Sequence, residues 1–221
     1  IKMWYQICKN LSLNTALDVG AFTGFFSFVA ASANPKIEIH AYEPNPVTFK
    51  ILQKNLDLNN CDNVTINNFG LSNKNGHEKF FNFGGGVNPG MTSVDHQYVN
   101  TNLSHSLFEI RDILEIKKIL NKKIDLIKLD IERAELEILH RAKDIIDNDK
   151  PIIFCEILDI EMYDSFQDFF QDLTYEYIQI DDEKKQYYFT PRISNNQNIG
   201  RNWIFYPQEL KDQLSSIFLN D

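Results

Sequence analysis

The chain reads as an α/β protein built on a doubly wound, mostly parallel sheet with helices on both faces. Three observations predict this. Strand-like and helix-like stretches alternate along most of the 221 residues. The stretches Ile124–Leu129 and Pro151–Cys155 are predominantly apolar rather than alternating, as in central strands covered on both faces. The segment Leu17-Asp18-Val19-Gly20-Ala21-Phe22-Thr23-Gly24-Phe25-Phe26 reads as a buried strand, a tight turn and the start of a helix.

Taken in order, Lys2 to Leu11 carry Trp4, Tyr5, Ile7 and Cys8 and form a short amphipathic helix within an N-terminal segment, 1–14. Ala16 to Val19 is too short an apolar run for a helix. Gly20 and Gly24 bracket the turn that follows. Phe25, Phe26, Phe28 and Val29 make the next helix apolar nearly all round, so it is expected to be buried, and Asn34-Pro35 ends it. Ile37 to Tyr42 is the second strand, closed by Glu43. Asn45 and Pro46 then signal a helix start, with Val47, Ile51, Leu52 and Leu56 at helical spacing. Asn63 to Phe69 is a third strand and Asn73 to Gly76 a turn, and Lys79 to Phe83 is a short extra strand. Residues 84–104, opening with Gly84-Gly85-Gly86, read as a flexible loop on the substrate side; His96 there and His105 just after it read as solvated. Leu107 to Ile110 is a strand and Arg111 to Leu120 a helix. After the strand ending at Leu129, Arg133 to Ile146 is expected as one helix. Glu156 ends the next strand, a helix spans Glu161 to Leu173, and Tyr175–Ile180, Tyr187–Phe189 and Asn202–Phe205 are late strands. A helix over Pro207 to Phe218 closes the chain. No linker or internal repeat divides it, so residues 1–221 are read as one domain.

Composition narrows the function classes. The chain is 43% hydrophobic and 24% charged, with a formal net charge of -9, which weighs against broad binding to nucleic-acid phosphates. Cys8, Cys61 and Cys155 are too few and too widely spaced for a disulfide framework or a CxxC metal site, so a reducing, cytoplasmic setting is expected. No run reaches the roughly 18 apolar residues of a membrane span. The sequence assigns no oligomeric state and no metal.

The turn at Gly20 decides between cofactors. A glycine lets a ligand approach the backbone closely, and the start of the following helix offers N–H groups to an anion. A dinucleotide site calls for G-x-G-x-x-G. Here Gly20-x-x-x-Gly24 lacks the second glycine, which disfavours an NAD(P)-dependent oxidoreductase. Glu43, 25 residues after Asp18, stands where a carboxylate accepts hydrogen bonds from both ribose hydroxyls of an adenosine.

Three motifs stand in order: Asp18-Val19-Gly20-Ala21-x-x-Gly24, Glu43-Pro44-Asn45-Pro46, and Lys128-Leu129-Asp130-Ile131-Glu132-Arg133-Ala134-Glu135. Over roughly Leu17 to Glu156 the chain resembles the FkbM family of S-adenosylmethionine-dependent methyltransferases. The resemblance implies a class I methyltransferase (Rossmann-like) fold, with a seven-stranded sheet and an antiparallel last strand. It implies S-adenosyl-L-methionine as cofactor, held by Asp18, Gly20, Ala21, Thr23, Gly24, Glu43, Pro44, Asn45, Gly70, Leu71 and Asp130. It also implies O-methylation of a small-molecule hydroxyl on a sugar or natural product. The acids Asp130, Glu132 and Glu156 fall at the carboxyl ends of central strands and are the candidates for catalysis: Asp130 toward the methionine part or the acceptor, and Glu132 or Glu156 as the base. Glu132 and Glu135 also suit a helix start through the macrodipole. Arg133 replaces the family's usual glycine, and either narrows the pocket, offers a cation to an anionic acceptor, or points to solvent. It is also the one hint of a cofactor-binding module that has lost catalysis. Phe22 replaces a frequent asparagine.

Overall fold

The computed structural model of the chain describes residues 1–82, 92–93, 105–159, 161–194 and 199–219. In chain order the first elements are α1 (Lys2–Asn10), β1 (Thr15–Val19), α2 (Phe25–Ala33), β2 (Glu38–Tyr42), α3 (Pro46–Asn59) and β3 (Val64–Asn67). Then come β4 (Gly70–Ser72), β5 (Gly76–Asn82), β6 (Thr92–Ser93), β7 (His105–Asp112), α4 (Ile113–Leu120) and β8 (Leu126–Leu129). The last are α5 (Glu135–Arg141), α6 (Lys143–Asp149), β9 (Ile152–Glu156), α7 (Met162–Phe170), β10 (Tyr175–Asp181), β11 (Gln186–Thr190), β12 (Asn202–Pro207) and α8 (Lys211–Leu219).

The main sheet runs β11-β10-β12-β9-β8-β1-β2-β3. Strands β3, β2, β1, β8 and β9 pair in parallel, and β12 runs antiparallel to both β9 and β10. This is the class I methyltransferase arrangement, including its reversed last strand. The seven strands expected become eight, because the turn after Asp181 folds β11 back onto β10 as a hairpin. Tyr187 and Phe189 on β11 have apolar surface to cover and pack on Phe218 and Tyr206. A second sheet, β4-β7-β5-β6, stands apart from the first. Of the 84–104 loop, only Thr92 and Ser93 are described, paired with β5; the rest of it, with His96, lies outside the described residues.

The alternation of side chains along each strand builds two cores. Leu17, Val19, Ile127, Leu129, Ile153 and Phe205 face Ile138, Ile145, Phe166 and Phe170 on one side. Ala16, Ile39, Leu126, Ile152 and Ile204 face Trp4, Ile7, Ala30, Leu52 and Leu214 on the other. Phe170 stacks on Phe205 with ring centroids 4.4 Å apart. Burying side chains of this size contributes about 1.5–3 kcal/mol each. Trp4 anchors α1: it is fully buried, and its indole N–H donates to the Phe26 carbonyl at 2.9 Å.

Three helix expectations need correction. α2 buries its small face, Ser27, Ala30 and Ala31, while Phe25 is 58% exposed; small residues let the helix lie close to the sheet, which leaves the phenylalanines at its flanks. α3 buries Thr48 and Leu52, and Val47 and Ile51 face outward. The single helix expected over 133–146 is two, α5 and α6, divided at Ala142, whose φ of -87° and ψ of 9° leave the helical region.

Candidate active site

The strand order reverses between β1 and β8, so their carboxyl ends open a crevice there, the place where such sheets bind ligands. The registers Val19↔Tyr42, Val19↔Leu129 and Leu129↔Cys155 bring Glu43, Gly20, Asp130 and Glu156 to adjacent strand ends.

Gly20 has φ 77°, and a Cβ there would lie 2.0 Å from the Asp130 carbonyl oxygen. The turns after β1 and β8 therefore meet backbone to backbone, which only glycine allows. Gly20 and Ala21 both donate N–H bonds to the Tyr42 carbonyl. Phe22 takes φ 52°, a left-handed conformation that asparagine adopts more readily than phenylalanine, and the residue is 44% exposed. Thr23 and Gly24 face α3 instead: the Thr23 carbonyl accepts from Asn55, and a Cβ on Gly24 would strike Leu52.

Asp18 is fully buried on the α2 side of β1. It accepts the Ser27 hydroxyl at 2.6 Å and a backbone bond from the same residue. The start of α2, expected to attract an anionic ligand, thus already holds a carboxylate of the chain. Burial raises the Asp18 carboxyl above its ordinary range, opposed by Lys128. Among the described residues, its Oδ1 has no hydrogen-bond partner.

Glu43 ties the two turns together. Its Oε2 accepts from the Phe22 N–H at 3.0 Å and its Oε1 from the Asn45 N–H at 2.9 Å. Burial, against these two bonds, pushes its carboxyl up to about 7. Asn45 caps α3, accepting from the Val47 N–H at 2.9 Å, with Pro46 at the first helical position. Each Glu43 oxygen keeps a lone-pair direction for a ribose hydroxyl.

The third motif forms a strained turn. Glu132 (φ 58°) and Arg133 (φ 89°) are consecutive non-glycine residues in left-handed conformations. Glu135, 2% exposed, holds the turn: its Oε1 accepts from the Ile131 N–H at 2.9 Å, and Arg133 donates a further backbone bond. Burial pushes the Glu135 carboxyl up to about 7. Asp130 accepts from the Lys128 ammonium at 3.1 Å. Burial, and then Asp130, raise the Glu132 carboxyl. At the end of β9, burial first, then Asp130 and Glu132, push Glu156 up to about 7, while Arg201 and Lys128 pull the other way. Arg133 does not point freely to solvent; its guanidinium donates to Asp159 at 3.1 Å.

A cavity of about 630 Å³ opens onto this edge. Gly20 and Pro44 of the main-sheet turns line it on one side, and Gly70, Leu71, Lys74, Glu78, Phe80 and Ile110 of the second sheet and its turn on another. Ile131, Arg133, Glu137, Asp159 and Met162 complete it. Its volume is in the range of small-molecule sites. Of the expected cofactor residues, Gly20, Pro44, Gly70 and Leu71 line it, whereas Asp18, Thr23 and Gly24 support the turn from behind. Asp130, Glu132 and Glu156 cluster at the neighbouring strand ends, outside the lining. Among the described residues, no group of three His, Cys, Asp or Glu side chains is placed to hold a metal ion. Sequence reasoning missed the second-sheet wall, the anchoring role of Glu135 and the buried Lys128. Only Lys128 carried a signal, a charged residue inside an apolar strand.

Sheet order, glycine turn and carboxylate-ended strands together define the class I methyltransferase fold, a class whose cofactor is S-adenosylmethionine. The residues fit that cofactor: a turn at Gly20 with no room for a Cβ, a carboxylate at the β2 end, and a cavity beside them that Gly20 and Pro44 line. The chain belongs to the FkbM methyltransferase family, whose domain model matches residues 18–189. It is similar to Methyltransferase 1 of Beauveria bassiana strain ARSEF 2860, at 27% identity over 154 residues, 60% of this chain and 61% of that protein. A solved FkbM methyltransferase from Methylobacillus flagellatus KT superposes with a TM-score of 0.56 at 18% identity, covering 91% of this chain and 48% of that one. The N-terminal domain of human METTL16, solved with S-adenosylhomocysteine, gives a TM-score of 0.51 at 11% identity, over 89% of this chain and 62% of that one, a likeness of fold alone. The chain thus spans 61% of the fungal relative and 48% of the bacterial one. No helix among the described residues is long and apolar enough to cross a membrane.

Proposed function

We propose that the chain, read as one methyltransferase domain over 1–221, transfers a methyl group from S-adenosylmethionine to a hydroxyl of a small molecule, a sugar or natural product. The observation that carries this reading is the cluster of Asp130, Glu132 and Glu156 at the ends of adjacent strands beside the Gly20 turn. The cofactor supplies an electrophilic methyl group on a sulfonium sulfur. Around such a cation a carboxylate-rich edge is electrostatically suited. Glu43 receives the ribose, and Gly20, Pro44, Gly70 and Leu71 lie against the adenosine. Transfer to oxygen requires orientation and removal of the hydroxyl proton. Glu156, with its carboxyl near 7 and more than half buried, is the base we favour, since a base is most effective when its pKa lies near the working pH. Glu132 is the second candidate, and Asp130 faces the methionine part. The Arg133–Asp159 pair narrows the acceptor side.

The test neutralises each acid in turn. Acceptors are screened with radiolabelled donor over a panel of glycosides and polyols, and affinity for S-adenosylhomocysteine is measured alongside. Glu156→Gln should lower kcat by roughly 10²–10⁴ and leave that affinity within a few fold. If both Glu156→Gln and Glu132→Gln turn over at the wild-type rate, the base assignment is wrong.

A further inference from the structure

The crevice contains a buried cation that the proposed chemistry leaves without a task. Lys128 is 5% exposed, one residue from the carboxyl end of β8, where a lysine is rare because taking its charge from water is costly. In the sheet it is the register neighbour of Asp18 on β1. Its ammonium donates to Asp130 at 3.1 Å and lies 4.5 Å from the centre of the Phe26 ring on α2. It also acts on Glu156, at the end of the neighbouring strand β9. One ammonium is therefore set among Asp18, Asp130 and Glu156, at the end of the sheet where the proposed donor carries its positive charge.

Methyl transfer removes that charge: the sulfonium donor leaves as a neutral thioether. A crevice lined by carboxylates favours the charged form, and a fixed cation offsets this preference. We propose, on the footing that the site binds S-adenosylmethionine, that Lys128 sets the discrimination between sulfonium donor and thioether product by offsetting the field of Asp130 and its neighbours. Lys128 acts as a positioning and charge-setting residue through Asp130, not as a catalytic residue. Its effect is on the ratio of two affinities, which a purely structural role leaves unchanged.

The experiment is titration calorimetry of the whole chain with S-adenosylmethionine and with S-adenosylhomocysteine. Lys128→Gln should shift the affinity ratio toward the sulfonium by about tenfold, the scale of one unit charge acting over about 10 Å at an effective dielectric near 20. Lys128→Arg, which keeps the charge, should hold the ratio within about threefold of wild type. Asp130→Asn should move the ratio the opposite way. Lys128→Met, which keeps the long stem and removes the charge, carries the test if Lys128→Gln does not fold. An unchanged ratio in a folded Lys128→Gln or Lys128→Met protein, or an Asp130→Asn shift toward the sulfonium, overturns the proposal. Wild-type protein that binds neither compound overturns the methyltransferase reading and this one with it, whereas binding of both with an invariant ratio overturns this one alone.

Discussion

Replacing Gly20 by alanine probes the contact on which the crevice depends. The new Cβ would lie 2.0 Å from the Asp130 carbonyl oxygen, 3.0 Å from its carbon and 3.1 Å from Ile131 Cγ2. Two penalties add. Holding an L-residue in the left-handed region at φ 77° costs about 1–2 kcal/mol. Forcing the two backbones apart belongs with overpacking, about 1–3 kcal/mol, and falls at the upper end because the obstacle is main chain. The sum, about 2–5 kcal/mol, is a large part of the roughly 5–15 kcal/mol that holds a domain folded. At roughly 2–4 °C per kcal/mol for a chain of this size, the melting temperature should fall by about 5–20 °C. Gly76 supplies the control. It also has positive φ, 143°, but nothing lies within 4 Å of its Cβ position, so Gly76→Ala carries backbone strain without collision. Urea and thermal unfolding of both variants, with S-adenosylhomocysteine titrated into each, separate the two penalties. Gly20→Ala should lose ligand binding as well as stability, and Gly76→Ala should keep binding. A Gly20→Ala protein as stable as Gly76→Ala would refute the backbone contact between the β1 and β8 turns.

Further outcomes follow from the same geometry. Glu43 and Glu135 both have carboxyls raised to about 7 by burial. The folded chain then holds protons that the unfolded chain has released, so their contribution to stability is complete below about pH 4.5 and is lost as pH rises through 7. Urea midpoints should fall between pH 5.5 and pH 8, and Glu135→Gln should flatten that dependence by roughly 1–3 kcal/mol; an equal slope in the variant would remove Glu135 as the source. Asp112, lowered by its bonds to Arg141, titrates below this window and does not mask it. Asn45→Ala deletes the side-chain cap of α3 and should cost about 1 kcal/mol, while the backbone N–H that Asn45 gives to Glu43 is kept; urea unfolding should show the loss, and calorimetry an affinity for S-adenosylhomocysteine within a few fold of wild type.

The Gly20 turn, Glu43 and the strand ends at Asp130 and Glu156 are legible from the sequence because each is local. An apolar run stops, a glycine or a carboxylate follows, and the next helix announces itself through a cap such as Asn45. The second sheet is not legible, because it depends on long-range pairing. Strand β4 is only Gly70–Ser72, and it pairs in parallel with β7, some forty residues later; nothing in three residues encodes that partner. The wall that Lys74, Glu78, Phe80 and Ile110 give the cavity is hidden for the same reason. The division at Ala142 carries no proline or glycine to mark it. The outward Phe25 of α2 misleads because hydrophobicity alone says nothing of which face a helix offers to a sheet; Ser27, Ala30 and Ala31 win that face by being small.

The Glu43 bridge also bears on how a ligand would arrive. Its two backbone bonds fasten the turn after β1 to the turn after β2 before any adenosine is present. The loops that would embrace the ribose therefore lose their freedom when the chain folds, and little ordering is left for the moment of association. Capture of the cofactor on this side should resemble docking onto a rigid surface, with a fast on-rate and no slow conformational phase, and the free and bound forms should share one backbone from Gly20 to Asn45.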